Sequence, residues 1–415
     1  MDQQRPPEQP AANGRSPGKD AVQSGGASLY LVLGILFTAF VMRAPMTSLS
    51  AILNIISEAF SLSAAAAGTL TTIPTILFAL TAVCAPMLLK KWSSNTLLLL
   101  GTLSICLGIP LRSFCGTPGL YAGTSLIGLG IGFSNVLLPK VIKQHFPDRI
   151  ELFTALYISS MTLFAALGSG FSNPLASALG WRWSLLLWAV IALPAVLAWT
   201  VCRKRVSWED APAQDSLPMG VILKTPMAWK LTLCMGTQAL AYYSMLAWLP
   251  TILQGKGMAP DMAGYSHLIE QVAGMVSAFA IPILIRKTKD NRFVHILSCA
   301  AFLAGLLLLL FWPKQGWLQI LMLVLLGWGT GVGLAYTVTV MSLRAASPEE
   351  VVSLSAMVQT GGYLMSALGP TLLGLLLDWT GSQNAQVFAL ILFVLGFLVF
   401  GTMVALRPGK SRGIL

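Results

Sequence analysis

The stretch FVMRAPMTSL places one arginine, Arg43, in a segment that is almost wholly apolar from Leu29 to Phe40 and mostly apolar as far as Ile56. A second apolar run, residues 262–286, holds His267, Glu270 and Gln271. A guanidinium offers a planar fork of donors suited to carboxylate, nitro or cyanate-like acceptors. Burial disfavours the charged form of a carboxyl, so Glu270 could take up and release a proton. His267 lies three residues from Glu270 and four from Gln271, which puts the three on neighbouring positions of one helix. Ionisable groups at such depth are expensive and mark substrate or proton paths. Three readings of Glu270 stand together: proton or substrate coupling, a fixed charge paired with Arg43, or exposure at a loop end.

Neutral polar groups inside other apolar runs complete the candidate set: Asn135, Gln238 with Tyr242 and Tyr243, Tyr336, and Gln359 with Tyr363. Gln238 and Tyr242 are four apart and share a face. Tyr242 and Tyr243 are adjacent, so at most one is expected to wall a cavity. For each neutral group the plain alternative is a helix–helix hydrogen bond.

The elements that must position these residues follow from composition. The chain has 415 residues, 55% hydrophobic and only 10% charged, against roughly 25% charged in a soluble domain. Repeated apolar runs of about 20 residues mark a membrane protein that crosses many times. The net charge of +11 does not indicate nucleic acid, because the basic residues lie between the apolar runs. Six cysteines without metal-ligand or CxxC spacing read as free, buried thiols. No cofactor or metal is expected. The sequence predicts an all-α membrane protein with twelve spans at 28–51, 64–89, 95–114, 118–140, 150–174, 181–202, 229–253, 262–286, 292–312, 316–343, 350–377 and 383–406. Residues 1–27 and 407–415 read as cytoplasmic tails and 203–228 as a cytoplasmic linker between two six-helix bundles, 28–202 and 229–406. Trp92, Trp181, Trp183, Trp312 and Trp317 read as interface anchors at span ends.

With both termini inside, the 26 Lys and Arg fall almost entirely in cytoplasmic segments. Only Arg112, Arg182, Lys256 and Lys314 lie outside, and Arg43 within a span. The positive-inside rule then sets the orientation. The second half repeats the first. A shift of 196 residues carries Ala67-Gly68, Pro86 and Lys90-Lys91 onto Ala263-Gly264, Pro282 and Arg286-Lys287. A shift of 201 carries Gly128, Gly130, Gly132 and Pro147 onto Gly329, Gly331, Gly333 and Pro348, with Lys143 meeting Arg344. Two six-span repeats in the same orientation are related by an axis along the membrane normal, the arrangement of major facilitator transporters, and their substrate lies near midplane between the halves. The paired glycines suit close helix packing or a smooth face for gating. The loops after the second and eighth spans, with Lys90, Lys91 and Asp290, and those leaving the fourth and tenth, with Arg344, Glu349 and Glu350, are gating candidates.

The chain also resembles the cyanate/nitroimidazole permease (CynX/NimT) family of the major facilitator superfamily, and looks closer to the nitroimidazole branch. The resemblance runs from about residue 30 to residue 405. It is carried by MRAPMTSL, LTTIPTILFAL and SNVLLPKVIKQHFP in the first half, and by TPMAWKLTL, YYSMLAWLPTIL, RKTKDNR, LRAASPEE, MVQTGGYL and ALGP in the second. The superfamily's Gly-Asp-Arg/Lys signature after the second span reads APMLLKKWSSN here, with no acid, although Asp290 could serve in the second half. The resemblance implies movement of small polar or anionic solutes across a bacterial inner membrane, powered by an ion or proton gradient. A monomer in lipid is expected, with no nucleic-acid partner. A multidrug efflux carrier or a uniporter is the alternative, and a channel would need polar residues repeated along one helix. An enzyme is not expected, because no HExxH, GxSxG or phosphate loop is present and the three histidines are dispersed. Arg43 and Glu270 each lie eight residues from the outer end of a span, roughly 12 Å deep at 1.5 Å per residue. From that equal depth, Arg43 is expected to bind substrate, with Glu270 as its counter-charge in the empty carrier.

Overall fold

Runs of this length and apolarity close their own backbone hydrogen bonds, and the computed structural model is helical throughout its described residues, 25–206, 219–288, 290–344 and 348–405. In chain order the helices are α1 (Gly25–Ala51), α2 (Leu53–Phe60), α3 (Ala64–Leu88), α4 (Ser94–Phe114), α5 (Gly116–His145), α6 (Ile150–Leu179), α7 (Trp181–Arg205), α8 (Met219–Leu223), α9 (Pro226–Gly255), α10 (Pro260–Thr288), α11 (Asn291–Phe311), α12 (Gly316–Arg344), α13 (Pro348–Thr380) and α14 (Gln383–Val404). All but α2 and α8 coincide with the twelve expected spans. Eleven of these twelve are long and apolar enough to cross a membrane. The exception, α9, is 30 residues long and buried over most of its length. Its Thr237, Gln238, Tyr243 and Ser244 meet other helices, so it need not be as apolar as a lipid-facing helix.

Local signals end the helices where expected. Ser63 and Ser93 cap α3 and α4 by accepting from Ala66 N and Thr96 N. Gly180 and Gly381, both with positive φ, turn the chain between α6 and α7 and between α13 and α14. Three boundaries differ from expectation. The first helix starts at Gly25, inside the expected tail; residues 1–24 and 406–415 lie outside the described residues. The expected linker is shorter, because α7 runs to Arg205 and α9 starts at Pro226. Its residues 207–218 also lie outside the described residues. The amphipathic α2, which buries Leu53 and Ile56, was not expected. Cys115 is exposed rather than buried, because it sits at the junction of α4 and α5.

The packing carries the repeat. In the first half α5 packs against α3 and α4, α1 against α6 and α7, and α4 against α7. In the second, α12 packs against α10 and α11, α9 against α13 and α14, and α11 against α14. Each of these contacts in one half has its counterpart in the other. The halves meet through α3 with α13, α6 with α10, and α1 with α9. Large apolar side chains such as Leu107, Leu197, Leu297 and Leu392 project from the outer faces, which suits a molecule surrounded by lipid.

Candidate functional site

The helix ends remote from the chain termini form the distal end of the molecule. There the halves are joined. The Asp378 carboxylate of α13 accepts from Ala64 N and Ala65 N, both at 2.8 Å, at the first turn of α3. Thr72 Oγ1 donates to the Ala367 carbonyl and meets Thr371 Oγ1 at 2.8 Å. On the other side of the interface, Asn173 Nδ2 donates to the carbonyls of Ala51 and Pro260. Leu49, Ile52 and Leu70 of the first half share one core with Trp248, Leu253 and Leu373 of the second. Gly68 and Gly374 allow this approach: a Cβ on Gly68 would strike the Pro370 carbonyl, and one on Gly374 the Ala64 carbonyl.

Below this seal lies Arg43, 7% exposed. Its Nη1 donates to the Tyr243 hydroxyl at 3.0 Å. The two residues are 200 apart in sequence, as are Asn54 and Gln254, joined at 2.7 Å. Each pair joins the first half to the second, so Arg43 lies where α1 meets α9 between the halves.

The guanidinium carbon stands 5.4 Å from the Tyr243 ring centre and 5.7 Å from that of Tyr242, within cation–π range. The two rings pack edge to face at 5.1 Å. Both tyrosines thus face the arginine, against the expectation of one. Adjacent side chains diverge by about 100°, and a guanidinium arriving from α1 lies between them. Phe78 of α3 and Tyr363 of α13 extend the aromatic wall, with ring centres 5.8 Å apart and each 6.3 Å from Tyr243. Tyr157 of α6 lies in the same buried cluster as Phe78 and Tyr243. Arg43 Nε has no partner. Phe78 and Tyr157 were missed in the sequence, where an aromatic in an apolar run carries no signal of its neighbours.

Glu270 is not the counter-charge of Arg43. Among the described residues no carboxylate is in ion-pair range of the guanidinium; Glu270 Oε2 instead lies 3.5 Å from His267 Nε2, which carries no proton in the tautomer described below, so the two form no ion pair. Glu270 turns to α12, where its Oε1 accepts from Thr330 Oγ1 at 2.6 Å and its Oε2 from Gln271 Nε2 at 3.0 Å. Equal depth left the azimuth of each residue open, and α10 turns the carboxylate toward α12. His267 is fully buried. Its Nδ1 meets Ser169 Oγ of α6 at 2.8 Å, across the halves, and its Nε2 meets Gln271 Nε2 at 3.1 Å. The Gln271 amide nitrogen is a donor, which leaves Nδ1–H to donate to Ser169.

The other candidates scatter. Gln238 lies one turn from Tyr242 and packs against Gly333 of α12. Gln359, one turn from Tyr363, donates to Ser355 Oγ at 2.7 Å. Asn135 is half-buried and its Nδ2 has no partner. Tyr336 is fully buried within the second bundle; its hydroxyl donates to the Gly401 carbonyl of α14 at 3.0 Å and its ring stacks on His295. A tyrosine that spends its hydroxyl on a backbone carbonyl inside one bundle does not wall the central site. Lys90 and Lys91 are exposed at the end of α3. Asp290 caps α11, accepting from Arg292 N and Phe293 N. Arg344 donates to the Val404 and Ala405 carbonyls at the end of α14. Both are thus engaged at helix termini of opposite polarity. Glu350 is buried in the first turn of α13; the Glu349 side chain lies outside the described residues.

Comparison with known proteins agrees with this architecture. Residues 35–370 match the Major Facilitator Superfamily model. The chain is 36% identical to an uncharacterized transporter, YycB, of Bacillus subtilis, over 89% of this chain and 92% of that one. It is 33% identical to the 2-nitroimidazole transporter of Escherichia coli, over 94% and 98%, and 24% identical to that organism's cyanate transport protein CynX, over 89% and 95%. The fold superposes on a bacterial Spinster homologue, described as inward-facing and unoccupied, with a TM-score of 0.73, 14% identity, and coverage of 93% of this chain and 100% of that one. The chain therefore belongs to the major facilitator superfamily, in its cyanate and 2-nitroimidazole permease branch, and is a membrane transporter of small solutes.

Proposed function

We propose that the protein is a proton-coupled carrier for a small, planar, electron-rich solute bearing a nitro, carboxylate or cyanate-like acceptor. The observation that carries this reading is the Arg43 guanidinium between the two halves, beside Tyr242, Tyr243, Phe78 and Tyr363 and with no carboxylate in ion-pair range among the described residues. A planar acceptor fits the guanidinium fork, and a flat ring fits between aromatic faces. Arg43 and Tyr243 come from opposite halves, so a solute bound there engages both and can bias their rocking.

In this reading Glu270 is the proton carrier. Among the described residues its two oxygens accept hydrogen bonds from Thr330 and Gln271, both neutral. Protonation would make one oxygen a donor and reverse the Thr330 bond. Gln271 would pass that change to His267, whose bond to Ser169 spans the halves and must break for the distal end to open. The termini are cytoplasmic in this proposal, the membrane is a bacterial inner membrane, the carrier works as a monomer, and the closed distal end faces outward. Lys90, Lys91, Glu349 and Glu350 then serve a cytoplasmic gate that closes in the opposite state.

The test is uptake into proteoliposomes over a panel of cyanate, nitroimidazoles and small amphipathic drugs, with and without a pH gradient. Arg43→Lys keeps the charge and loses the fork; it should lose most substrate affinity while inserting normally. Glu270→Gln should abolish the response to the pH gradient and retain exchange of bound solute. Wild-type affinity in Arg43→Lys, or gradient-driven accumulation by Glu270→Gln, would overturn the reading. Saturable uptake indifferent to the gradient in the wild type would favour a uniporter.

A further inference from the structure

A second buried arginine bears on the placement of the first. Arg112 is near the end of α4, two residues before Phe114, and was expected in an outer loop. From there its stem could reach the membrane surface, as long cationic side chains do. Instead it turns inward and is 1% exposed. Its Nη1 donates to the Pro45 carbonyl of α1 at 2.8 Å, while Nε and Nη2 have no hydrogen-bond partner. Burying a cation is costly, and this one is directed at a single backbone acceptor. That acceptor lies two residues from Arg43, on the helix that carries it.

Pro45 is the pliable point of α1. It sits inside the helix and has no N–H, so the Val41 carbonyl loses its intrahelical donor and the helix can bend there. Packing does little to hold this segment from the α4 side. α1 and α4 each pack closely against α7 and only lightly against each other. Just beyond Pro45 is a gap of about 10 Å³, bordered by Met46 and Leu49 of α1, Leu70 and Pro74 of α3 and Thr124 of α5; it has room for about one water. α4, by contrast, is held firmly. Gly108 and Gly123 bring its backbone against that of α5, with no room for a Cβ at either. Arg112 thus stands on a rigid pair of helices and reaches across to the pliable one. Its charge makes the bond stronger than one from a neutral donor. We propose that Arg112 is a positioning residue of the substrate site. Its bond to the Pro45 carbonyl fixes the bend of α1 and so places the Arg43 guanidinium against Tyr243. The inference rests on the reading that Arg43 holds the solute.

The test compares full-length variants in proteoliposomes, with 2-nitroimidazole as the probe. Arg112→Met keeps the length of the side chain and loses the donor. Its apparent KM should rise roughly tenfold, as for a small misplacement of a binding group, while kcat per folded molecule stays within about twofold. Arg112→Lys keeps a charged donor and should recover most of the affinity. Arg112→Gln, shorter and uncharged, should fall between, so the graded series survives a folding defect in any one variant. Thr124→Val, beside the same gap, should leave KM unchanged, which separates positioning from general loosening. In Tyr243→Phe, which lacks the bond to Arg43, adding Arg112→Met should raise KM much less than it does in the wild type. A structure of Arg112→Met by electron cryo-microscopy needs no solute: the bond from Arg43 to the Tyr243 hydroxyl should be broken, with Arg43 displaced together with α1. An intact bond in that structure, an unchanged KM in Arg112→Met, or an equal rise in Thr124→Val would overturn the proposal. A wild type that carries no member of the solute panel would overturn the reading of Arg43 as the solute site, and the Arg43–Tyr243 bond in Arg112→Met would still decide whether Arg112 places Arg43.

Discussion

The Asp378 latch makes the sharpest test of how the halves are held. Its carboxylate accepts from Ala64 N and Ala65 N, both at 2.8 Å, where α3 begins. A helix start carries a partial positive charge and unpaired N–H groups. Asp378→Asn removes the charge and leaves one acceptor oxygen for two donors. The charge–dipole loss at an exposed helix end is worth about 0.3–1 kcal/mol, and one lost hydrogen bond about 0.5–1.5 kcal/mol. The sum, about 0.8–2.5 kcal/mol, shifts the ratio of distal-open to distal-closed molecules roughly 4–70-fold. Spin labels on cysteines replacing Leu179 and Met262 report this directly. Both are exposed, on α6 and α10 at the distal end of opposite halves. In a background without the six native cysteines, the parent should give one short distance. Asp378→Asn should add a longer population, and Asp378→Glu should add less. An unchanged distribution in Asp378→Asn, with the protein folded, would refute the latch.

Three further outcomes follow from the same geometry. Gly374→Leu places a side chain against the Ala64 carbonyl and should leave only the long distance between those labels, with uptake lost. Tyr336→Phe removes the bond to the Gly401 carbonyl; denaturation should show a loss of about 1 kcal/mol, and substrate affinity measured by uptake should not change. A cysteine at Ala259, at the distal end, should react with a membrane-impermeant thiol reagent in intact cells, whereas one at Ser216 should not; the reverse pattern would invert the orientation.

Much of the architecture was legible in the chain itself. Backbone in lipid must satisfy itself, so apolar runs of about 20 residues have one available structure, and eleven of the twelve long helices are such runs, α9 being the more polar and more buried exception. The repeat was legible because its Gly, Pro and basic positions recur at shifts of 196 and 201. Arg43 stood out because a cation is costly in an apolar run. What each polar residue meets was decided only by the fold. Helical periodicity gives the face a residue occupies and leaves open which neighbour that face meets. Arg43 and Glu270 are at similar depth, yet α10 turns Glu270 to Thr330 while the packing of α1 against α9 brings Tyr243 to Arg43. Arg112 read as a loop cation because it is two residues from a helix end, and only the packing of α1 against α4 shows it turned inward to Pro45. Asp290 and Arg344 read as gate charges, and tertiary structure shows them capping α11 and α14. Depth follows from counting residues along one helix, whereas a partner follows from the rotation of two helices about their own axes. That rotation is set by the packing of residues far apart in the chain.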